Sequence, residues 1–324
     1  MTQTGGFIPP SRRAGVLGVH SVNRLVMAVP DLSQAQTFYT SFGLDAAGRG
    51  KSLDLTVPEQ AAPCLTLVEG QRKLLHHLSL AAFKDDMPRF SARLKECGVE
   101  TLDPPPGFAS NGIWFRDPDG TLVEICVAPK TTPDHKVSPS WPRPASNMAR
   151  APTRQQTQIK KPTRLSHLLL FTGDVSRAIA FYSSVVGLRL SDRSGDGIAF
   201  MHGVHGSDHH LLAFVRADGP GLHHCSFDVP SLEDVGLGAK RMADLGYQKG
   251  WGLGRHVLGS NYFHYVRDPW GSYAEYSCDM DFVAADHDWQ DGDHAAEDAF
   301  YVWGPTPPDD FAVNYEASTI DASR

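Results

Sequence analysis

Short β-type apolar runs and amphipathic helical stretches alternate along most of the chain, and the alternation repeats. In residues 25–45 (LVMAVPDLSQAQTFYTSFGLD) an apolar run gives way after Asp31 to a stretch whose Ala35, Phe38 and Tyr39 fall at helical spacing. Residues 168–190 (LLLFTGDVSRAIAFYSSVVGLRL) answer with Asp174, Ala178, Phe181 and Tyr182. Asp31 and Asp174 stand where a capping side chain accepts a helix's first free amide hydrogens. β-type runs follow each helix: LDLTV and CLTLVEG in one case, IAFMHG and HLLAFV in the other. Residues 74–100 answer 221–248, each with a His-His pair, and 110–127 answer 260–278, each with Ser-Asn and Arg-Asp-Pro-x-Gly. Read twice per half, this gives four βαββ(β) modules of roughly 50–60 residues. The predicted fold is α+β: four repeated βαβββ modules in two domains, each domain a curved mixed sheet forming an open barrel.

The pattern fails in two places. Residues 128–162 are rich in Pro, Ser, Thr and basic side chains with no sustained period, and read as a linker or arm. From residue 283 the chain is acidic and Pro-punctuated, but its aromatics (Trp289, Phe300, Tyr301, Trp303, Phe311, Tyr315) predict that it wraps onto the body, with its last few residues loose. The expected division is an N-terminal extension (1–19), a first domain (20–127), the linker (128–162), a second domain (163–282) and an acidic aromatic tail (283–324).

Composition narrows the function classes. With 324 residues, 41% hydrophobic and 21% charged, the chain is ordinarily globular. A net charge of -7, without a basic stripe outside the linker, argues against nucleic-acid binding. No apolar run approaches the roughly 20 residues that span a bilayer, and the start lacks a signal-peptide core. Five scattered cysteines without a C-x-x-C pair suit reduced thiols, so the expected location is cytoplasmic. The arm and the aromatic tail point to subunit contacts in a homo-oligomer.

The unusual count is 15 histidines, eight of them between His202 and His264. Three positions recur through the repeat: His167, His224 and Glu275 in the second half, Arg24, His77 and Glu124 in the first. A single strand histidine is more often a hydrogen-bonded core residue than a ligand. Glu275 in an apolar, aromatic strand is harder to explain, because a buried carboxylate needs a counter-charge. Two imidazoles and a carboxylate converging from neighbouring strands describe the facial triad of non-haem Fe(II) oxygenases, and the same donors suit Mn(II). Arg24 cannot become a ligand, so the first-half site is expected to hold no metal, with Arg24 neutralising Glu124.

At these residues the second half resembles the type I extradiol ring-cleaving dioxygenases of the vicinal oxygen chelate superfamily. The stretches that carry the resemblance are LSHLLLFTGDVSRAIAFYSSVVGL, DHHLLAF, LHHCSFDV and GRHVLGSNYFHYVRDPWGSYAEYS, over about residues 162–280. It weakens to the module pattern over about 20–127. The resemblance implies iron ligands at His167, His224 and Glu275, with His210, His256 and Tyr265 as catalytic residues. It implies Fe(II)-dependent cleavage of a catechol-type or trihydroxylated aromatic, with O2 as co-substrate, in aromatic degradation. One departure is Gly259, where many biphenyl-type relatives carry an Asp, which puts carboxylate-assisted orienting of His256 in question.

Residue chemistry fits those roles. Imidazole at His210 titrates near neutrality and suits proton transfer, while Tyr265 and His256 offer hydrogen bonds to a catechol oxygen. His209 and His223 are expected to point away from the metal, because strand side chains alternate faces. His202, His205 and His264 are expected at the surface or behind the site. Residues 246–256 (GYQKGWGLGRH) read as a flexible loop at the pocket mouth, with Trp251 and Phe200 as apolar wall. Competing readings are another metal enzyme of the superfamily, such as a glyoxalase-like isomerase or a transferase, and a small-molecule binding protein of the same fold.

Overall fold

The computed structural model describes residues 10–58, 60, 62–136, 146–147 and 152–317. The expected loose end at 318–324 and the middle of the linker lie outside them.

The first half runs β1 (Ser21–Val29), α1 (Leu32–Phe42), β2 (Asp45–Arg49), β3 (Ser52–Thr56), β4 (Leu65–Glu69), β5 (Leu74–Ala82), α2 (Met87–Glu96), β6 (Ile113–Arg116) and β7 (Leu122–Val127). Its strands form one sheet in the order β2-β3-β4-β1-β5-β7-β6. The second half repeats the plan with β8 (Arg164–Thr172), α3 (Val175–Phe181), β9 (Arg189–Ser194), β10 (Ile198–His202), β11 (Ser207–Asp208), β12 (Leu212–Arg216), β13 (Gly221–Asp228), α4 (Leu232–Asp244), β14 (Gly250–His256), β15 (Tyr262–Arg267) and β16 (Tyr273–Cys278). In both halves the two opening strands pair antiparallel at the sheet centre, and each runs parallel to the last strand of its own module. The fold is α+β with two curved sheets built from repeated modules, as the apolar pattern predicts.

Local chemistry starts the helices where expected. Asp31 Oδ1 accepts from the amides of Ser33 (2.8 Å) and Gln34 (2.9 Å), and Asp174 Oδ1 from that of Arg177 (2.9 Å). The apolar faces then meet across the halves in one continuous core. Phe42 of α1 stacks on Tyr276 of β16 at 3.9 Å between ring centroids, and the Tyr276 hydroxyl donates to the Phe42 carbonyl (2.7 Å).

Residues beyond 281 add β17 (Phe282–Val283), β18 (Gly292–Asp293), α5 (Ala296–Ala299) and β19 (Tyr301–Trp303). β18 pairs with β9 and β19 with β14, so this segment extends both edges of the second sheet. The Gly-rich stretch corrects the sequence reading, because residues 250–256 are a strand paired with β15, not a flexible loop. Its glycines answer close backbone approach. Gly250 sits at φ 157°, and a Cβ there would lie 2.0 Å from the Tyr265 carbonyl oxygen. Among the described residues no helix is long and apolar enough to cross a membrane.

Candidate active site

Register brings distant residues into one row. His167 on β8 pairs with Ser226 on β13, Ser226 with Glu275 on β16, and Glu275 with Tyr265 on β15. His224 lies two residues before Ser226 and so shares its face. His167 Nε2 and His224 Nε2 are 3.2 Å apart and stand 3.2 and 3.5 Å from Glu275 Oε2. All three residues are buried, and among the described residues they are the one cluster of His, Cys, Asp or Glu placed to hold a metal ion. Glu275 Oε2 has no hydrogen-bond partner, an arrangement that is costly unless a cation sits between the donors. For bonds of about 2.1 Å, donors at right angles on a divalent ion lie about 3.0 Å apart, close to the observed spacing. The residues fit a divalent metal.

The first half supplies the comparison. There the same row reads Arg24, Ser79, Glu124 and Trp114. Glu124 accepts from the hydroxyls of Ser79 and Ser110, both at 2.5 Å. Arg24 was expected to neutralise it, but no ion pair joins them among the described residues. The guanidinium lies instead over the Phe108 ring (5.7 Å). Two serine hydroxyls thus hydrogen-bond Glu124 where a counter-charge was expected.

Against His167 and His224 lies a cavity of about 310 Å3. His167, His210, His224, His256 and Tyr265 border it, together with Leu169, Ile198, Phe200, Val215, Leu258 and, from the tail, Ala296, Ala299, Phe300, Phe311 and Ala312. No Lys, Arg, Asp or Glu lines it among the described residues. His210 packs against His167 (4.2 Å between centroids) and Phe200 (5.0 Å). Burial, then neighbouring His167, holds the His210 pKa well below the usual imidazole range. Burial lowers His256 as well. Burial first and the Glu275 carboxylate second raise the Tyr265 phenol well above its usual value.

His256 Nδ1 lies 3.0 Å from the Phe300 carbonyl, which only accepts, so that nitrogen carries the proton. Its Nε2 is then the acceptor for the Tyr265 hydroxyl at 2.9 Å. The backbone of the tail therefore does the orienting in question at Gly259. Gly259 itself has φ 90°, and a Cβ there would lie 3.5 Å from both the His209 and His210 rings.

Other expectations need correction. His223 does not turn away from the site: a register shift between Leu222 and His224 leaves it bordering the cavity, with Nε2 2.8 Å from the Phe311 carbonyl. Trp251 does not face the cavity. It backs the wall, stacked on Tyr265 at 5.6 Å, with its indole donating to the Pro305 carbonyl (2.7 Å). His202 and His205 are buried, His202 against the Ser191 hydroxyl (2.8 Å) and His205 against the Gly18 carbonyl (3.1 Å). Sequence reasoning missed Asn261, whose amide donates to Ser277 Oγ (2.9 Å) and reaches Glu275 Oε1 (3.4 Å). The signal was present, because the Ser-Asn pair recurs in the repeat and its Ser110 serves Glu124. It also missed the tail residues that wall the cavity.

Duplicated βαβββ modules, with two imidazoles and one carboxylate on adjacent strands, define a class of metal-dependent enzymes, and known proteins bear this out. The family model of the glyoxalase/bleomycin resistance protein/dioxygenase superfamily matches residues 21–125 and 164–276. The chain is 46% identical over 299 residues to Metapyrocatechase 2 of Cupriavidus necator, covering 92% of this chain and 93% of that protein. It is 24% identical to the biphenyl-2,3-diol 1,2-dioxygenase of Metapseudomonas furukawaii, over 84% of this chain and 92% of that one. In fold it matches the Mn(II)-bound glyoxalase from Novosphingobium aromaticivorans, with TM-score 0.72, 24% identity, and 90% and 93% of the two chains covered. This chain belongs to that superfamily and, within it, to the extradiol ring-cleaving dioxygenases.

Proposed function

We propose that this protein is an Fe(II)-dependent extradiol dioxygenase that cleaves a catechol beside its two hydroxyls, inserting both atoms of O2. The ring substituent is apolar and uncharged. The observation that carries this reading is the unpartnered Glu275 Oε2 facing two imidazoles beside an apolar cavity. His167, His224 and Glu275 would hold the metal, and a donor set without thiolate favours Fe(II), with Mn(II) as the alternative. When bound, the ion supplies Lewis acidity toward the catechol hydroxyls and a shared point of attachment for the ring and O2. The Tyr265–His256 pair orients a substrate oxygen, and His210, which also borders the cavity, takes up and returns a proton. The apolar walls exclude water and leave a charged substituent without a partner, at the usual penalty for burying an unpaired charge. The His210, His256 and Tyr265 set favours this reading over an isomerase or a binder. We assign residues 163–282 as the catalytic domain, 20–127 as a domain without metal, and 283–324 as the tail, from which Ala296, Ala299, Phe300, Phe311 and Ala312 wall the pocket.

The test is anaerobic loading with Fe(II) or Mn(II), followed by O2 uptake with alkyl-, chloro- and carboxyl-substituted catechols. One O2 per ring, with a new long-wavelength absorption, is expected for uncharged catechols alone. Losing an orienting neighbour of a ligand typically costs 10–100-fold in metal affinity or activity, so His167→Ala and Glu275→Gln should lose metal affinity by more than about 100-fold. His77→Ala should retain both metal and turnover. Equal loss from His77→Ala would refute the assignment of the second half.

A further inference from the structure

We propose that Asp192 and His209 are a positioning pair that fixes which ring nitrogen of His210 carries its proton, so that His210 presents a bare Nε2 to the cavity. The inference rests on the reading of His210 as the proton-transferring residue. Three contacts form a chain. Asp192 Oδ2 lies 2.8 Å from His209 Nε2, and His209 Nδ1 lies 3.1 Å from His210 Nδ1. The other carboxylate oxygen, Oδ1, accepts from the Gly292 amide (3.0 Å) and from His294 Nε2 (2.7 Å), so the tail holds Asp192 from behind.

A carboxylate only accepts, so the proton shared with Asp192 belongs to His209 Nε2. With its single proton on Nε2, the His209 ring, set between Phe200 and Trp289, has a bare Nδ1. The two facing Nδ1 atoms need one proton between them, and His210 must supply it. His210 Nε2 is then the lone pair left for the cavity. The same sequence of contacts recurs at the other His-His pair of this half. The Phe311 carbonyl accepts from His223 Nε2, and His223 Nδ1 faces His224 Nδ1 at 2.8 Å, leaving His224 Nε2 bare where the triad needs a ligand atom. The motif is an adjacent histidine pair in which the outer ring, tied to an acceptor, dictates the tautomer of the inner one.

Asp192→Asn should invert the chain. The Gly292 amide demands an acceptor, so the Asn oxygen takes the Oδ1 position and its NH2 turns toward His209. His209 then accepts at Nε2 and donates from Nδ1, which forces the proton of His210 onto Nε2. The experiment is long-range 1H–15N correlation on metal-free protein labelled with 15N-histidine, with the two rings assigned through His209→Gln and His210→Gln. The parent should show His209 protonated at Nε2 and His210 at Nδ1, and Asp192→Asn should exchange both. In loaded enzyme the same variant should lower kcat about 100-fold, with KM and metal content nearly unchanged. His209→Gln, whose carbonyl can accept from His210, should retain more turnover than His209→Leu. A parent His210 protonated at Nε2, or signals unmoved by Asp192→Asn, would overturn the proposal. A tautomer exchange with unchanged kcat would uphold it and remove His210 from the acid–base role.

Discussion

Glu316 is the joint between the tail and both sheets, and its removal should be among the most damaging single truncations outside the core. Its carboxylate is paired with the Lys73 ammonium and accepts from the amides of Leu75 (2.6 Å) and Leu222 (2.9 Å). Side-chain exposure is only 6% for Glu316 and 4% for Lys73. Lys73 also donates to the Leu222 carbonyl (3.2 Å) and to Ser272 Oγ. Glu316→Ala would strand a buried ammonium and two amide hydrogens. Breaking a buried pair on one side costs about 3–5 kcal/mol, and each orphaned amide about 1–3 kcal/mol. These costs overlap, because Glu316 borders a polar cleft from which water can enter. The expected loss is therefore about 4 kcal/mol. Glu316→Gln, which keeps one acceptor, should lose about half as much. Urea unfolding followed by tryptophan fluorescence and far-UV circular dichroism gives the values, provided the two transitions coincide. In a double-mutant cycle with Lys73→Met, the double variant should recover about 2 kcal/mol relative to additivity. A loss below about 1 kcal/mol for Glu316→Ala, or an additive cycle, would refute this account of how the tail is held.

Acid should destabilise the protein earlier than is usual. Burial pushes His20, His77 and His223 down to about 3 and His202, His205 and His264 to about 4, from 6.5. Folded values below the unfolded one mean that stability is complete above about pH 6.5 and lost as pH falls toward 4, by up to about 1.4 kcal/mol per pH unit per group. Asp117 and Asp268, raised by burial to about 6, oppose this because the fold holds their protons more tightly, but two carboxyls do not offset six imidazoles. Tm should drop steeply between pH 6.5 and 5, and a Tm maximum near pH 5 would contradict the argument. Within α4, Gly236→Ala and Gly238→Ala should act in opposite directions. A Cβ at Gly236 meets nothing within 4 Å, and helix propensity predicts a gain of up to about 1 kcal/mol. A Cβ at Gly238 would lie 2.8–2.9 Å from the Tyr276 ring, and overpacking of about 1–3 kcal/mol should outweigh that gain. Paired thermal melts decide it.

What the sequence revealed and what it hid have one physical origin. Module order, the caps at Asp31 and Asp174 and the row of His167, His224 and Glu275 depend on local periodicity and on a repeat that can be compared with itself. The missed features depend on contacts without a local signature. Alternation predicts that His223 turns outward, but a bulge and a carbonyl 88 residues away decide otherwise. The glycines of 250–254 look like flexibility and are instead demanded by a neighbouring strand. Arg24 has the right charge for Glu124, yet two serine hydroxyls arrive first.

The cavity is assembled from two kinds of chain. Its metal-facing end comes from central ladder strands, where a substitution disturbs register and core together. Its outer wall comes from Ala296, Ala299, Phe300, Phe311 and Ala312, none of which belongs to a strand of either sheet. The two ends of the cavity therefore rest on different supports, one on strand register and one on the packing of the tail. Substitution at these five positions would change the outer wall and leave the ladder strands that carry His167, His224 and Glu275 as they are.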